Sequence, residues 1–135
     1  MNPYQQYQAQ AIYTMTREEI LLRLYDELLK RLLRAERALG EKNYELFDQS
    51  ITRCREIVVY LIDTLNFQYP ISRELKRHYD FFIYELSRIA SGRKMEVIHE
   101  LRPLIEDLKN AFAAAAKKEG AGHPTVDSCG LLGKG

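Results

Sequence analysis

Glu96 and His99 have the Glu-x-x-His spacing with which carboxylate-bridged di-iron bundles ligate metal from one turn of helix. Such a centre needs a second copy of the element and two further glutamates, all pointing inward. The chain has no second copy. Both residues also point well away from the stripe formed by Val97, Leu101, Leu104, Ile105, Leu108 and Phe112. No metal or other cofactor is expected. Gly130-Leu-Leu-Gly133-Lys134-Gly135 has a faint look of a phosphate loop, but its spacing is wrong and no strand–helix unit surrounds it. Cys54 falls on an apolar helix stripe, where a thiol behaves as a small hydrophobe, and Cys129 lies in a Gly-rich tail. Neither requires a disulfide, which suits a reducing compartment. No Ser/His/Asp or Cys/His set has positional support, so an enzyme is not expected. Asp26 and Asp80 each follow a tyrosine at the edge of an apolar arc, where they either orient polar atoms of a bound backbone or face solvent, and the solvent-facing reading is preferred.

A length of 135 residues fits one domain with one core. With 46% hydrophobic and 29% charged residues the composition is that of an ordinary soluble chain. The net charge of +1 offers no general field for nucleic acid, and the basic cluster Lys30, Arg31, Arg34, Arg37 shares its helix with Asp26, Glu27, Glu36 and Glu41. The start lacks a basic region followed by an apolar one, so no secretory signal is expected. The apolar run Ile57 to Ile62 is far too short to span a bilayer, and no membrane insertion is expected.

Thr16-Arg17-Glu18-Glu19 reads as a capping box: the Thr16 hydroxyl can accept from the Glu19 amide, and Glu19 can reach back to the Thr16 N–H. It opens the first of four helical segments, Arg17–Leu39, Tyr44–Asn66, Arg73–Ser91 and Lys94–Lys118. Gly40 and Gly92 follow two of them as C′ glycines do, while Asn43 and Ser72 are sensible N-caps. Pro103 should kink the last helix or split off its first two turns. Short connections favour antiparallel neighbours. The expected fold is therefore all-α: an antiparallel up-down-up-down four-helix bundle over residues 16–118. A flexible N-terminal arm (1–15) precedes it and a disordered Gly-rich C-terminal tail (119–135) follows.

A helix turns about 100° per residue, so each side chain has a direction. The second helix carries a clean stripe of Phe47, Ile51, Cys54, Val58, Leu61 and Leu65, with Val59 and Tyr60 pointing well off it on opposite sides. The third carries Leu75, Tyr79, Phe82, Ile83, Leu86 and Ala90, with Phe81 and Tyr84 facing away. The first spreads nine apolar residues between Ile20 and Leu33 over roughly 220°, about twice the usual stripe. The fourth has almost no surplus. Soluble monomers rarely expose a large contiguous apolar patch, so the surplus on three helices either closes an oligomer or receives a partner. Candidate groove residues are Leu22, Tyr25, Leu29, Val59, Tyr60, Ile62, Phe81 and Tyr84.

These residues resemble the flagellar secretion chaperones of the FliS family. The resemblance covers about Pro3 to Lys118. It rests on Tyr4 and Tyr7 in the N-terminal arm, the capped start Thr16 to Leu21, the Leu24-Tyr25-Asp26 tripeptide, Leu75 with Tyr79-Asp80, Phe112 near the end of the last helix, and the four helix lengths. It departs at His78, where an apolar residue is expected. The resemblance implies a cytoplasmic, non-enzymatic helical bundle without cofactor, a monomer or weak dimer when free. Such a protein binds the C-terminal segment of flagellin, keeps it from polymerising early and delivers it to the flagellar type III export gate. Tyr4 and Tyr7 would then be a removable cover over the groove, since a tyrosine tolerates both buried and wet states. The alternative on the residues alone is a self-associating helical adaptor that uses the same faces to dimerise.

Overall fold

Thr16 opens the bundle much as its type and spacing predict. In a computed structural model that describes residues 16–122, with side chains to Ala115, its Oγ1 accepts from the Glu19 N–H at 3.1 Å. The Glu19 carboxylate takes the Thr16 hydroxyl, at 3.2 Å. The elements are α1 (Arg17–Gly40), α2 (Tyr44–Asp63), α3 (Ile71–Gly92) and α4 (Met95–Gly122). Asn43 caps α2 through Oδ1 to the Leu46 N–H at 3.2 Å.

Three boundaries depart from expectation for local reasons. Ser72 is no N-cap. Helix α3 begins at Ile71 behind Pro70, whose φ of −57° is already helical, and the buried Ser72 hydroxyl donates to the Asn66 carbonyl at 2.6 Å. Helix α2 stops at Asp63, because Asn66 turns its side chain on the Gln68 N–H at 2.9 Å and holds the connection as a turn. Helix α4 runs to Gly122, past the expected end at Lys118, and passes through Pro103 instead of splitting there. The run Ala113 to Ala116 has the strongest helix propensity available.

The left-handed positions also fall elsewhere than on glycine. Gly40 and Gly92 are the last helical residues, and the positive φ belongs to Lys42 (60°) and Arg93 (49°). At the first site the Lys42 N–H bonds the Leu39 carbonyl at 3.1 Å and the Asn43 N–H bonds the Ala38 carbonyl at 2.8 Å, a Schellman closure with Lys42 at C′. Asn43 has to finish α1 and cap α2 at once, which sets that register. A Lys42→Gly change is expected to stabilise the fold by about 0.5–1 kcal/mol, since a β-carbon in this region costs roughly 1–2 kcal/mol and glycine returns part of that as unfolded-chain entropy. Thermal unfolding should show the midpoint rise by about 2–4 °C. An unchanged midpoint would mean that the turn carries no strain. Arg93 is a poorer site for the change, because its guanidinium stacks 3.9 Å from the Tyr44 ring centre.

The helices pack in a ring, α1 against α2 and α4, and α3 against α2 and α4. Ion pairs between α1 and α4 show their sense. Asp26 meets Lys109, while Glu36, further along α1, meets Arg102 and His99 earlier on α4. Numbers rise on one helix as they fall on the other, so the pair is antiparallel. With connections of only a few residues elsewhere, the ring is up-down-up-down. The core is built from Leu28 and Leu32 of α1, Phe47, Ile51 and Val58 of α2, Phe82, Leu86 and Ile89 of α3, and Val97, Ile98, Leu101 and Ile105 of α4. Cys54 is buried among them, and burial pushes its thiol up to about 12. Two stripes are rotated from their expected centres. Ile98 is buried while Leu104 is exposed, and Ile89 is buried while Ala90 is exposed. Among the described residues no helix is long and apolar enough to cross a membrane.

Candidate functional site

Antiparallel packing puts the start of α1, the end of α2, the start of α3 and the end of α4 at one end of the bundle. Two apolar recesses lie at that end, on opposite flanks. The first, about 320 Å³, lies between Ile20, Leu21 and Leu24 of α1 and Tyr60 and Leu61 of α2 with its C-cap Thr64. Tyr60 carries it onto the outer face of α2. There a shallow depression of about 500 Å³ is edged by Thr52, Arg55, Glu56, Val59 and Asp63. The second recess, also about 320 Å³, lies between Ile71, Glu74, Leu75 and His78 of α3 and Leu108, Ala111, Phe112 and Ala115 of α4.

A buried aromatic plug separates the recesses. The Tyr25 and Tyr79 hydroxyls meet at 2.6 Å, the Tyr25 and Phe112 ring centres lie 6.0 Å apart, and those of Tyr79 and Phe82 lie 6.3 Å apart. Burial raises the pKa of both phenols, that of Tyr79 to about 12. Each hydroxyl supplies the partner that a phenol needs once it is out of water.

The expected groove residues divide into three groups. Val59 (45% exposed) and Tyr60 (53%) line the α2 depression, and Phe81 (44%) and Tyr84 (60%) stand one turn apart on the outside of α3. Arg88 helps to hold Tyr84 outward. Its guanidinium is anchored on the buried Glu85 carboxylate at 3.0 and 3.2 Å and lies 5.9 Å from the Tyr84 ring centre. Leu22, Leu29 and Ile62 are half-buried and pack against the core. Leu22 and Leu29 share the ridge of Asp26, which reaches Lys109, so they lie along the α1–α4 seam rather than in the α1–α2 recess. Tyr25 is a correction: it has no exposed surface and belongs to the plug. Its place at the centre of the α1 arc, facing α3 across the bundle, makes it core. Tyr4 and Tyr7 lie outside the described residues.

The wide arc of α1 is mostly satisfied from within. A helix in a ring touches two neighbours, so α2 takes Leu21 and Leu24 while α4 takes Leu22 and Leu29, and Leu33 alone of the arc is exposed, at 36%. The fourth helix, expected to have almost no surplus, exposes Leu104 at 44%. The α3–α4 recess and Phe67, 49% exposed on the α2–α3 connection, also escaped the sequence reading. The departure at His78 was the available signal for the recess, since an imidazole replaces an apolar group on its wall.

Several ionic groups pair along or between the helices. Asp80 pairs with Lys76 on its own helix at 2.7 Å, and Asp26, read as solvent-facing, braces α1 to α4 through Lys109. His99 lies 3.6 Å from Glu36. Among the described residues no three metal-ligating side chains come together. What the surface offers is half-exposed apolar side chains on rigid helices, suited to capturing an apolar segment. The family model of flagellar protein FliS matches residues 1–119. The flagellar secretion chaperone FliS of Bacillus subtilis (strain 168) is 25% identical over 118 residues, which cover 87% of this chain and 89% of that protein. With a helical bundle of the expected architecture and a family match over nearly its whole length, the chain belongs to the FliS family of flagellar proteins.

Proposed function

We propose that the chain is a cytoplasmic, non-enzymatic flagellar export chaperone. It captures the C-terminal segment of flagellin, keeps it from polymerising early and assists its delivery to the flagellar type III export apparatus. The observation that carries this reading is the set of outward aromatic and aliphatic anchors, Val59, Tyr60, Phe81 and Tyr84, on adjacent helices of a FliS-family bundle. The B. subtilis relative's name, flagellar secretion chaperone, supports it. Anchors spaced over two helices suit a segment that folds as it wraps. The ordering entropy of that segment limits the affinity and so permits release. Tyr4 and Tyr7 serve in this reading as a removable cover.

Titrating the full chain with a flagellin C-terminal peptide, by calorimetry and light scattering, tests the proposal. The expected result is a one-to-one complex formed from a monomer. A tight dimer that ignores the peptide would overturn it in favour of a self-associating module.

A further inference from the structure

The recess between α3 and α4 has its own candidate occupant. We propose that it is the docking site for the chain's own C-terminal segment, residues 123–135, with Leu131 and Leu132 seated against Leu75, Leu108 and Phe112. Half-buried Ile71, Leu108 and Phe112, with Ala111 and Ala115, make a shallow apolar trough there, which suits a short aliphatic pair.

Position singles out this segment. The wall contributed by α4 runs from Leu108 to Ala115, about 10–21 Å back along the helix from Gly122. Leu131 lies nine residues beyond Gly122, a reach of up to about 30 Å, so the chain can turn and come back with slack. Pro124 lacks the N–H that would continue a helix, and Gly130 and Gly133 flank the leucine pair with residues of permissive backbone. The N-terminal arm leaves from the other flank: Thr16 adjoins Arg17, which itself lines the α1–α2 recess. Each end of the chain thus emerges beside a different recess. Charge agrees as well. Glu74 stands on the rim of the α3–α4 recess, and Lys134 follows the leucine pair. Docking needs no outside partner, so it stands or falls separately from flagellin binding.

The test compares amide NMR spectra of the isotope-labelled full chain and its variants at two protein concentrations. Leu131→Ser with Leu132→Ser is expected to shift the signals of Leu75, His78, Ala111, Phe112 and Ala115 and to leave Ile20, Leu21 and Leu24 in place. Ala111 is exposed, so Ala111→Glu leaves the core intact while charging the trough. It should shift Val126, Leu131 and Leu132 in return. Recess signals that ignore the leucine variant would overturn the proposal. So would signals that move only on changing Tyr4 and Tyr7 to Ser, which would place the arm there. Shifts that grow with protein concentration would place a second copy there and overturn it equally.

Discussion

A chain carrying Tyr60→Ser and Phe81→Ser is expected to bind a flagellin C-terminal peptide roughly 10- to 100-fold more weakly than the parent, with an unchanged helical signal. Burying a whole aromatic side chain contributes about 1.5–3 kcal/mol, but these two rings are already partly covered by their own helices. Tyr60 is 53% exposed and Phe81 44%, so about half of that figure remains for a partner to collect. Two such losses amount to about 1.5–3 kcal/mol, and each 1.4 kcal/mol is a factor of ten. The scaffold should tolerate both changes, since neither ring is among the buried core residues. Calorimetric titration beside far-ultraviolet circular dichroism separates the two effects. Parental affinity in the double variant would remove both rings from the docking surface. Lost helicity would instead show that they support the fold.

The second large effect is internal. Removing one hydroxyl of the Tyr25–Tyr79 pair leaves the other buried without its 2.6 Å partner. A lone buried donor costs about 1–3 kcal/mol, so Tyr25→Phe and Tyr79→Phe should each destabilise by that order. The double change removes both polar groups together and should come within about 1 kcal/mol of the parent. Urea unfolding of the four proteins gives the coupling directly, and additive single effects would show that the hydroxyls do not rely on each other.

The same pair sets an alkaline limit. The folded-state pKa of Tyr79 is raised from 10.0 to about 12, chiefly by burial, and burial raises that of Tyr25 as well. Below about pH 10 neither state loses these protons, and their contribution is fully present. Above it the unfolded chain releases them while the folded chain holds them, so the unfolded state binds fewer protons and stability falls with pH. The loss should set in at about pH 10, with the Tyr79 part complete near pH 12 and the Tyr25 part still growing there, and it should flatten in the double phenylalanine chain. An identical fall in both chains would assign the alkaline loss to other groups.

Much of this protein is written in short-range patterns. The caps at Thr16 and Asn43 are bonds between residues three apart, and they form where the sequence puts them. The α2 stripe from Phe47 to Leu61 follows directly from helical periodicity, as does the outward direction of Val59, Tyr60, Phe81 and Tyr84. Membership of the FliS family was legible through the ordered set of arm, capped start and Leu-Tyr-Asp pattern, because a family preserves order and spacing even where each motif alone is weak.

Tertiary structure decided what periodicity leaves undetermined. Periodicity states how wide an apolar arc is, but not how many neighbours will cover it. For α1 two neighbours did so, which moved Tyr25 from a presumed groove into the core plug and put Leu22 and Leu29 on the α4 seam. The rotation of a helix about its own axis is set by its partners. That is why Ile98 and Ile89 are buried while Leu104 and Ala90 face out. The left-handed residues Lys42 and Arg93 sit where closing each turn onto the next helix requires them, and the nearby glycines stay helical. The two recesses share one end of the bundle only because antiparallel packing brings helix starts and finishes together, a juxtaposition between residues too far apart in sequence for any local pattern to encode.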